Sequence, residues 1–320
     1  MKRGGSLLQG ARVLAGALLL AGCAAIVPQT ESLRDDWPRD LRENVELVKV
    51  PFFPQKDYQC GPAALATVMV QAGARVTPDD LVPEVYIPER KGSVQAEMLA
   101  APRRHGLVSY ALAPKLEDVL REVSSGTPVV LLHGYGLEPL QGWHYSVAIG
   151  FDRTSGNAIL RSGVHERQEM PFAVVEYTWK DSNRWAMVVT PPDRIPVTAD
   201  EGRYLEAVNA FARVASPRVA STAYSTFIAR WPDNVAASIG LGNSLHAARD
   251  FRGAEAALRE AYRRHPDSIP VMNNLAQTLS DLGRQREALA LVDRAKSGAG
   301  SFAPDVDETR AGILRRMAGH

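Results

Sequence analysis

Cysteine is nearly absent: the 320-residue chain holds two, Cys23 and Cys60. Two cannot build a disulfide-rich scaffold or a four-cysteine zinc site. An excess of charge is missing as well. The 37 Lys and Arg against 36 Asp and Glu leave a net charge of +1, which provides no electrostatic footprint for nucleic acid. No basic patch for anionic lipid stands out. No apolar run is long enough to cross a bilayer as a stable helix. A phosphate-cradling Walker A loop is lacking, and the histidines have no partners at clear zinc spacing, so neither cofactor nor metal is expected. What remains is an ordinary soluble composition, 45% hydrophobic and 23% charged. At about 100–200 residues per domain, the length allows two domains.

The first residues read as an address. Lys2 and Arg3 precede a short apolar run, Val13 to Ala21, which suits the core of a secretory signal. The run ends Leu20-Ala21-Gly22-Cys23, and this closely resembles a bacterial lipobox. The resemblance implies a signal peptide over 1–22 and lipidation of Cys23. It further implies attachment to the outer membrane facing the periplasm, because Ala24 rather than Asp follows the cysteine. Residues 23–44, with Pro28 and Pro38, read as a lipidated tether. If Cys23 carries lipid, Cys60 is the lone thiol in an oxidising compartment and needs a reason to be there.

From residue 45 the pattern is α+β. Val45 to Phe53 reads as a strand, and helices are expected over Cys60–Ala72, from Thr77, over Ser93–Arg104 and over Lys115–Ser124. Val129–His133, Trp143–Phe151, Asn157–Arg161 and Arg184–Val189 read as strands of a mostly antiparallel sheet. This domain spans 45–191, and Pro191, Pro192 and Pro196 mark a linker over 192–200.

Residues 201–320 are helical and repeat with a 34-residue period. With Val235 at position 1, Leu241, Gly242, Leu245, Ala254, Leu258 and Ala261 fall at positions 7, 8, 11, 20, 24 and 27. From Ile269, the same positions hold Leu275, Ala276, Leu279, Ala288, Val292 and Ala295. A weaker unit starts at Glu201. Small residues at 8 and 20 let paired helices approach, and large ones at 7, 11 and 24 fill the groove between units. The pattern resembles the tetratricopeptide repeat. That resemblance implies a protein or peptide partner, with Asp305–Met317 as a capping helix.

The chemistry concentrates in Gln55-Lys56-Asp57-Tyr58-Gln59-Cys60-Gly61-Pro62-Ala63-Ala64-Leu65. Cys60 sits at a helix start, where N–H groups and the macrodipole favour a thiolate. Pro62 suits a first helical turn and Gly61 permits close approach. The Gln55 side-chain amide and the Cys60 backbone N–H together would form an oxyanion hole. A nucleophilic thiol needs a base. Of seven histidines, His144 opens an apolar strand, Trp143-His144-Tyr145-Ser146-Val147-Ala148-Ile149-Gly150, and can project into a cleft facing Cys60. His133 closes the preceding strand and reads as a packing residue; His165 is placed in a loop.

These motifs resemble the C39-like cysteine peptidases, a papain-like family, over about residues 48–190. The resemblance implies Cys60 as nucleophile, His144 as general base and acid, and Gln55 as oxyanion donor. The family's orienting Asp-Pro pair is not present; Leu160-Arg161-Ser162-Gly163 stands there, with Ser162 at the carboxylate position. A hydroxyl can accept a hydrogen bond from imidazole but cannot neutralise an imidazolium. Asp152 is the alternative carboxylate. The expected molecule is an α+β papain-like cysteine peptidase domain followed by an all-α tetratricopeptide-repeat domain. Its expected function is hydrolysis of a peptide bond in a protein or peptide substrate. The alternatives are a binding module on the same fold, or transfer of the acyl group to an amine.

Overall fold

A computed structural model describes residues 27–55, 59–135 and 142–319; Cys23 and the signal lie outside them. No helix of the described residues is long and apolar enough to cross a membrane. The chain divides into two compact units. One holds most of the sequence up to Val189, and the other is centred on Ala199–His320.

The first unit is built on a seven-stranded sheet. Its strands are β1 (Asn44–Glu46), β4 (Val108–Ala111), β5 (Val129–Tyr135), β6 (Gly142–Asp152), β7 (Asn157–Ser162), β8 (His165–Pro171) and β9 (Ala186–Thr190). The order is β4-β9-β5-β6-β7-β8, with β1 added against the end of β6. The β5–β6, β6–β7 and β7–β8 pairs are antiparallel, the geometry that tight connections such as the turn at Thr154-Ser155-Gly156 allow. A separate hairpin pairs β2 (Tyr86–Ile87) with β3 (Gly92–Ser93).

Helix α2 (Cys60–Gln71) packs on β6. Ten of its twelve residues are buried, so it is apolar all round, as a central helix must be. Helix α3 (Pro78–Val85) starts where Thr77 forms a capping box with Asp80, a pairing that satisfies two otherwise orphaned N–H groups. Helices α4 (Gln95–Arg104) and α5 (Leu116–Ser124) lie where the periodicity places them.

Four features depart from expectation. The strand expected over 45–53 is three residues long; beyond it the chain turns, with Val50 N donating to Leu47 O. Strand β4 and the β2–β3 hairpin lack apolar runs long enough to announce themselves. His165 opens strand β8 rather than lying in a loop; that strand is polar because it sits at the sheet edge. Helix α6 (Phe172–Trp179) follows it.

The tether expectation needs the largest correction, because Val27, Leu33, Trp37 and Leu41 are buried rather than exposed along a free stretch of chain. Residues Pro28–Asp35 form helix α1. Its start is held by the fully buried carboxylate of Glu176 on α6, which accepts from Gln29 N (3.1 Å), Thr30 N (2.7 Å) and Thr30 Oγ1 (2.8 Å). A carboxylate at a helix N-terminus satisfies orphan donors and the macrodipole together. Trp37 then buries its ring against Phe151 and Phe172.

The second unit stacks helix pairs α7 (Glu201–Ala212) with α8 (Pro217–Arg230), α9 (Val235–Ala247) with α10 (Phe251–Arg264), and α11 (Ile269–Asp281) with α12 (Gln285–Lys296). Helix α13 (Ala303–Met317) packs on the last pair. Asp200, Asn234 and Asp250 cap helix starts through their side-chain oxygens. Most repeat positions form the core: Gly242, Ala254, Leu258, Leu275, Ala276, Leu279, Ala288 and Val292 are buried, while Leu241 and Leu245 are only half-buried.

Candidate active site

The start of α2 has no side-chain cap, so its first N–H groups are free to face the Cys60 sulfur. Gly61 permits the close approach expected of it, and the group that approaches is Ser93 on β3. A Cβ there would lie 2.2 Å from Ser93 Oγ, so β3 closes against the helix start only because position 61 has no side chain. Tyr145, next to His144, secures the same hairpin by donating from its hydroxyl to Ser93 O (3.2 Å).

Register places the remaining groups. His144 on β6 stands directly across from His133 on β5. On the other side Val147 pairs with Arg161, and the next pair would set Ser162 against Ser146. Ser162 therefore shares the face of His144, one diagonal away. The contact is made: His144 Nε2 lies 3.0 Å from Ser162 Oγ. Asp152 is not a competitor. It ends β6 eight residues from His144, a span of about 27 Å in a strand, and its carboxylate caps the turn by accepting from Thr154 N.

Gln55 arrives on the segment after β1, where its backbone N donates to Gly163 O (3.0 Å). Gln55, Cys60, His144 and Ser162 all line one cleft of about 1370 Å³. Its walls also include Arg90, Lys91, Gly92 and Ser93 of the hairpin, Trp143, and the Asp181-Ser182-Asn183 turn after α6. Sequence reasoning missed these wall residues. The only local signal was punctuation by Pro88 and Gly92. Among the described residues, no group of three or more His, Cys, Asp or Glu is arranged to hold a metal ion.

The electrostatics overturn one expectation. The Cys60 thiol was expected to be ionised by its helix position. Burial instead pushes it above its ordinary value, against the pull of the N–H groups of Tyr145, Gly61 and Cys60 itself. Burial also pushes His144 down. Both shifts favour the uncharged pair. Removing a thiolate and an imidazolium from water costs more here than the helix start returns.

His133 is a satisfied structural residue. The Thr178 hydroxyl donates to Val174 O (2.9 Å), so its oxygen accepts from His133 Nδ1–H (2.9 Å). His133 Nε2 is then the acceptor for Ser146 Oγ–H (2.7 Å). Both ring nitrogens are used in the neutral form. Burial, with a smaller effect of neighbouring His144, pushes this imidazole down to about 3.

Cys60, at the start of a buried helix, and His144, on an antiparallel strand, thus line one cleft. Residues 47–187 match the Peptidase_C39 like family. Residues 205–269 and 245–307 match tetratricopeptide repeat families. The chain thus carries a C39-like domain followed by tetratricopeptide repeats. Among solved structures, it is similar to one from Bacillus anthracis described as a C39-like peptidase, with 16% identity, a TM-score of 0.38, and 47% of this chain and 98% of that one covered. It is also similar to the peptidase domain of Streptococcus ComA, a bi-functional ABC transporter involved in a quorum-sensing pathway (19% identity, TM-score 0.36, 44% and 98% covered). A third is the TPR2B domain of yeast Sti1 (17% identity, TM-score 0.35, 36% and 97% covered). No curated protein matches the chain significantly.

Proposed function

We propose that this chain is a cysteine peptidase anchored to the outer membrane through a lipid on Cys23, acting on a protein or peptide substrate in the periplasm. The observation that supports it best is the His144 Nε2 to Ser162 Oγ contact, made in the cleft that Cys60 and Gln55 also line. With Nε2 engaged by Ser162, Nδ1 is the ring nitrogen left to take the Cys60 proton. The thiolate attacks the peptide carbonyl carbon. The oxygen gains the negative charge and is held by the Gln55 amide and the Cys60 backbone N–H. Collapse expels the amine, which takes its proton from His144, and leaves a thioester on Cys60. Water, deprotonated by His144, then releases the acid.

The repeats supply the partner or substrate surface. A groove of about 660 Å³ between α11 and α13 is lined by Asn273, Asn274, Gln277 and Arg316, polar groups suited to a peptide. Incubation with a proteome-derived peptide library tests the proposal. Wild type should release new termini, with Cys60→Ala and His144→Ala each slowed by about 10³-fold or more. Cleavage that survives Cys60→Ala would reject the mechanism.

A second reading, a peptide-holding module, is favoured by one specific observation: the hydroxyl of Ser162 stands where a carboxylate would offset the imidazolium. Retention of library peptides by wild type with no cleavage would support it.

A further inference from the structure

Arg161 is a buried cation in a place where the sequence offered no reason for one. Its side chain is 8% exposed, and it follows the strand face of Val147, behind the nucleophile. A narrow crevice there is lined by Gln55, Cys60, Arg161 and Ser162. The guanidinium makes two contacts to backbone oxygens far apart in sequence. Nη2 donates to Val50 O at 2.9 Å, and Nη1 donates to Glu166 O in strand β8. Glu166 adds a carboxylate 3.8 Å away, itself largely exposed. The Nε–H has no partner among the described residues.

A buried cation with an unpaired N–H is a poor stabiliser, and an apolar side chain of similar volume would serve packing as well or better. What the guanidinium does provide is position. Val50 starts the segment that ends at Gln55, and the far end of that segment is tied by Gln55 N to Gly163 O (3.0 Å). Both ties lead to the same stretch, Arg161-Ser162-Gly163 at the end of β7. The group that touches His144 and the segment carrying the oxyanion donor are therefore fixed to one another through Arg161.

We propose that Arg161 is a positioning residue that clamps the Val50–Gln55 segment and so sets the Gln55 amide at the oxyanion site. This rests on Gln55 being the oxyanion donor.

Two reagents that meet Cys60 differently test it. Iodoacetamide alkylates the sulfur by displacing iodide and forms no oxyanion. 4-Nitrophenyl acetate acylates it through a tetrahedral oxyanion, giving an acetyl thioester and 4-nitrophenolate. The full chain would be compared as wild type, Arg161→Met, Arg161→Lys, Gln55→Ala and the double variant. Arg161→Met should slow acylation by about 10–100-fold, less than the roughly 10²–10³-fold that outright loss of one oxyanion donor costs, while alkylation changes by less than about twofold. Arg161→Lys, which keeps charge but one donor group, should fall between and serves if Arg161→Met does not fold by circular dichroism. In the Gln55→Ala background, Arg161→Met should add nothing. If Gln55→Ala leaves acylation unchanged, the oxyanion reading and the clamp fall together. If Gln55→Ala slows acylation but the Arg161 effect is absent, is additive to it, or slows both reagents equally, the clamp alone is overturned.

Discussion

At Ser162 a single side chain decides how charge is distributed in the cleft. A hydroxyl 3.0 Å from His144 Nε2 orients the ring and contributes no negative charge, while burial lowers His144 and raises Cys60. A raised thiol holds less thiolate at neutral pH than free cysteine does. A lowered imidazole likewise holds less imidazolium. Iodoacetamide alkylation of Cys60 should thus rise mainly in the alkaline range. A carboxylate at position 162 would stabilise the imidazolium and, through it, the thiolate. Ser162→Asp should shift the alkylation profile at least about one pH unit lower, about tenfold faster at pH 7, and peptide cleavage should gain alongside. Superimposable profiles would show that position 162 does not govern His144. The two histidines across from one another differ in their partners: both ring nitrogens of His133 are held, by Thr178 and Ser146, whereas His144 meets Ser162 through Nε2.

The helices of the second unit show how packing overrides propensity. Glycine within a helix costs about 1 kcal/mol relative to alanine, yet α9 carries both Gly240 and Gly242. A Cβ at Gly242 would lie 2.6 Å from Leu258 Cδ2, and one at Gly240 would lie 2.5 Å from the Tyr224 ring. Leu258 is fully buried, so any shift must displace packed neighbours. Gly242→Ala should therefore lower repeat stability by about 1–2 kcal/mol despite its better propensity, because overpacking costs about 1–3 kcal/mol. Gly312→Ala on α13 should do the reverse. The nearest atom to its Cβ would be Arg315 Nη2 at 3.9 Å, the end of a flexible chain, so about 0.5–1 kcal/mol should be gained. Thermal melts followed by circular dichroism read both signs. Equal signs would mean that the helix–helix contact does not control the site.

Across the whole molecule, the docking of α1 changes what an anchor at Cys23 means. Only four residues separate Cys23 from Pro28, and Glu176 holds the chain at Gln29 and Thr30. The five steps from Cys23 to Pro28 reach at most about 18 Å, so a lipid on Cys23 would keep the first unit near the bilayer rather than on a long leash. Cys23→Ala should move the protein from the membrane to the soluble fraction on fractionation, with Cys60 alkylation unchanged. Membrane retention of this variant would remove the lipid from the proposal.

The helix beginning at Cys60, the strand carrying His144 and the 34-residue repeat were all legible, because each is written in contiguous residues whose periodicity or terminal chemistry acts over a few positions. Strand β4, the β2–β3 hairpin and the α1 docking were not, since their stability comes from partners such as Ser93 against Gly61 or Thr30 against Glu176. Contiguous residues announced most of the helices, the central strands, the order of the two domains and the candidates Gln55, Cys60, His144 and Ser162. The meeting of Ser162 with His144, the reach of Arg161 to Val50 and the burial that raises Cys60 and lowers His144 arise only on folding. The reason is physical: propensity and periodicity are short-range, whereas desolvation and hydrogen bonds between residues more than a hundred positions apart exist only once the chain has closed around them.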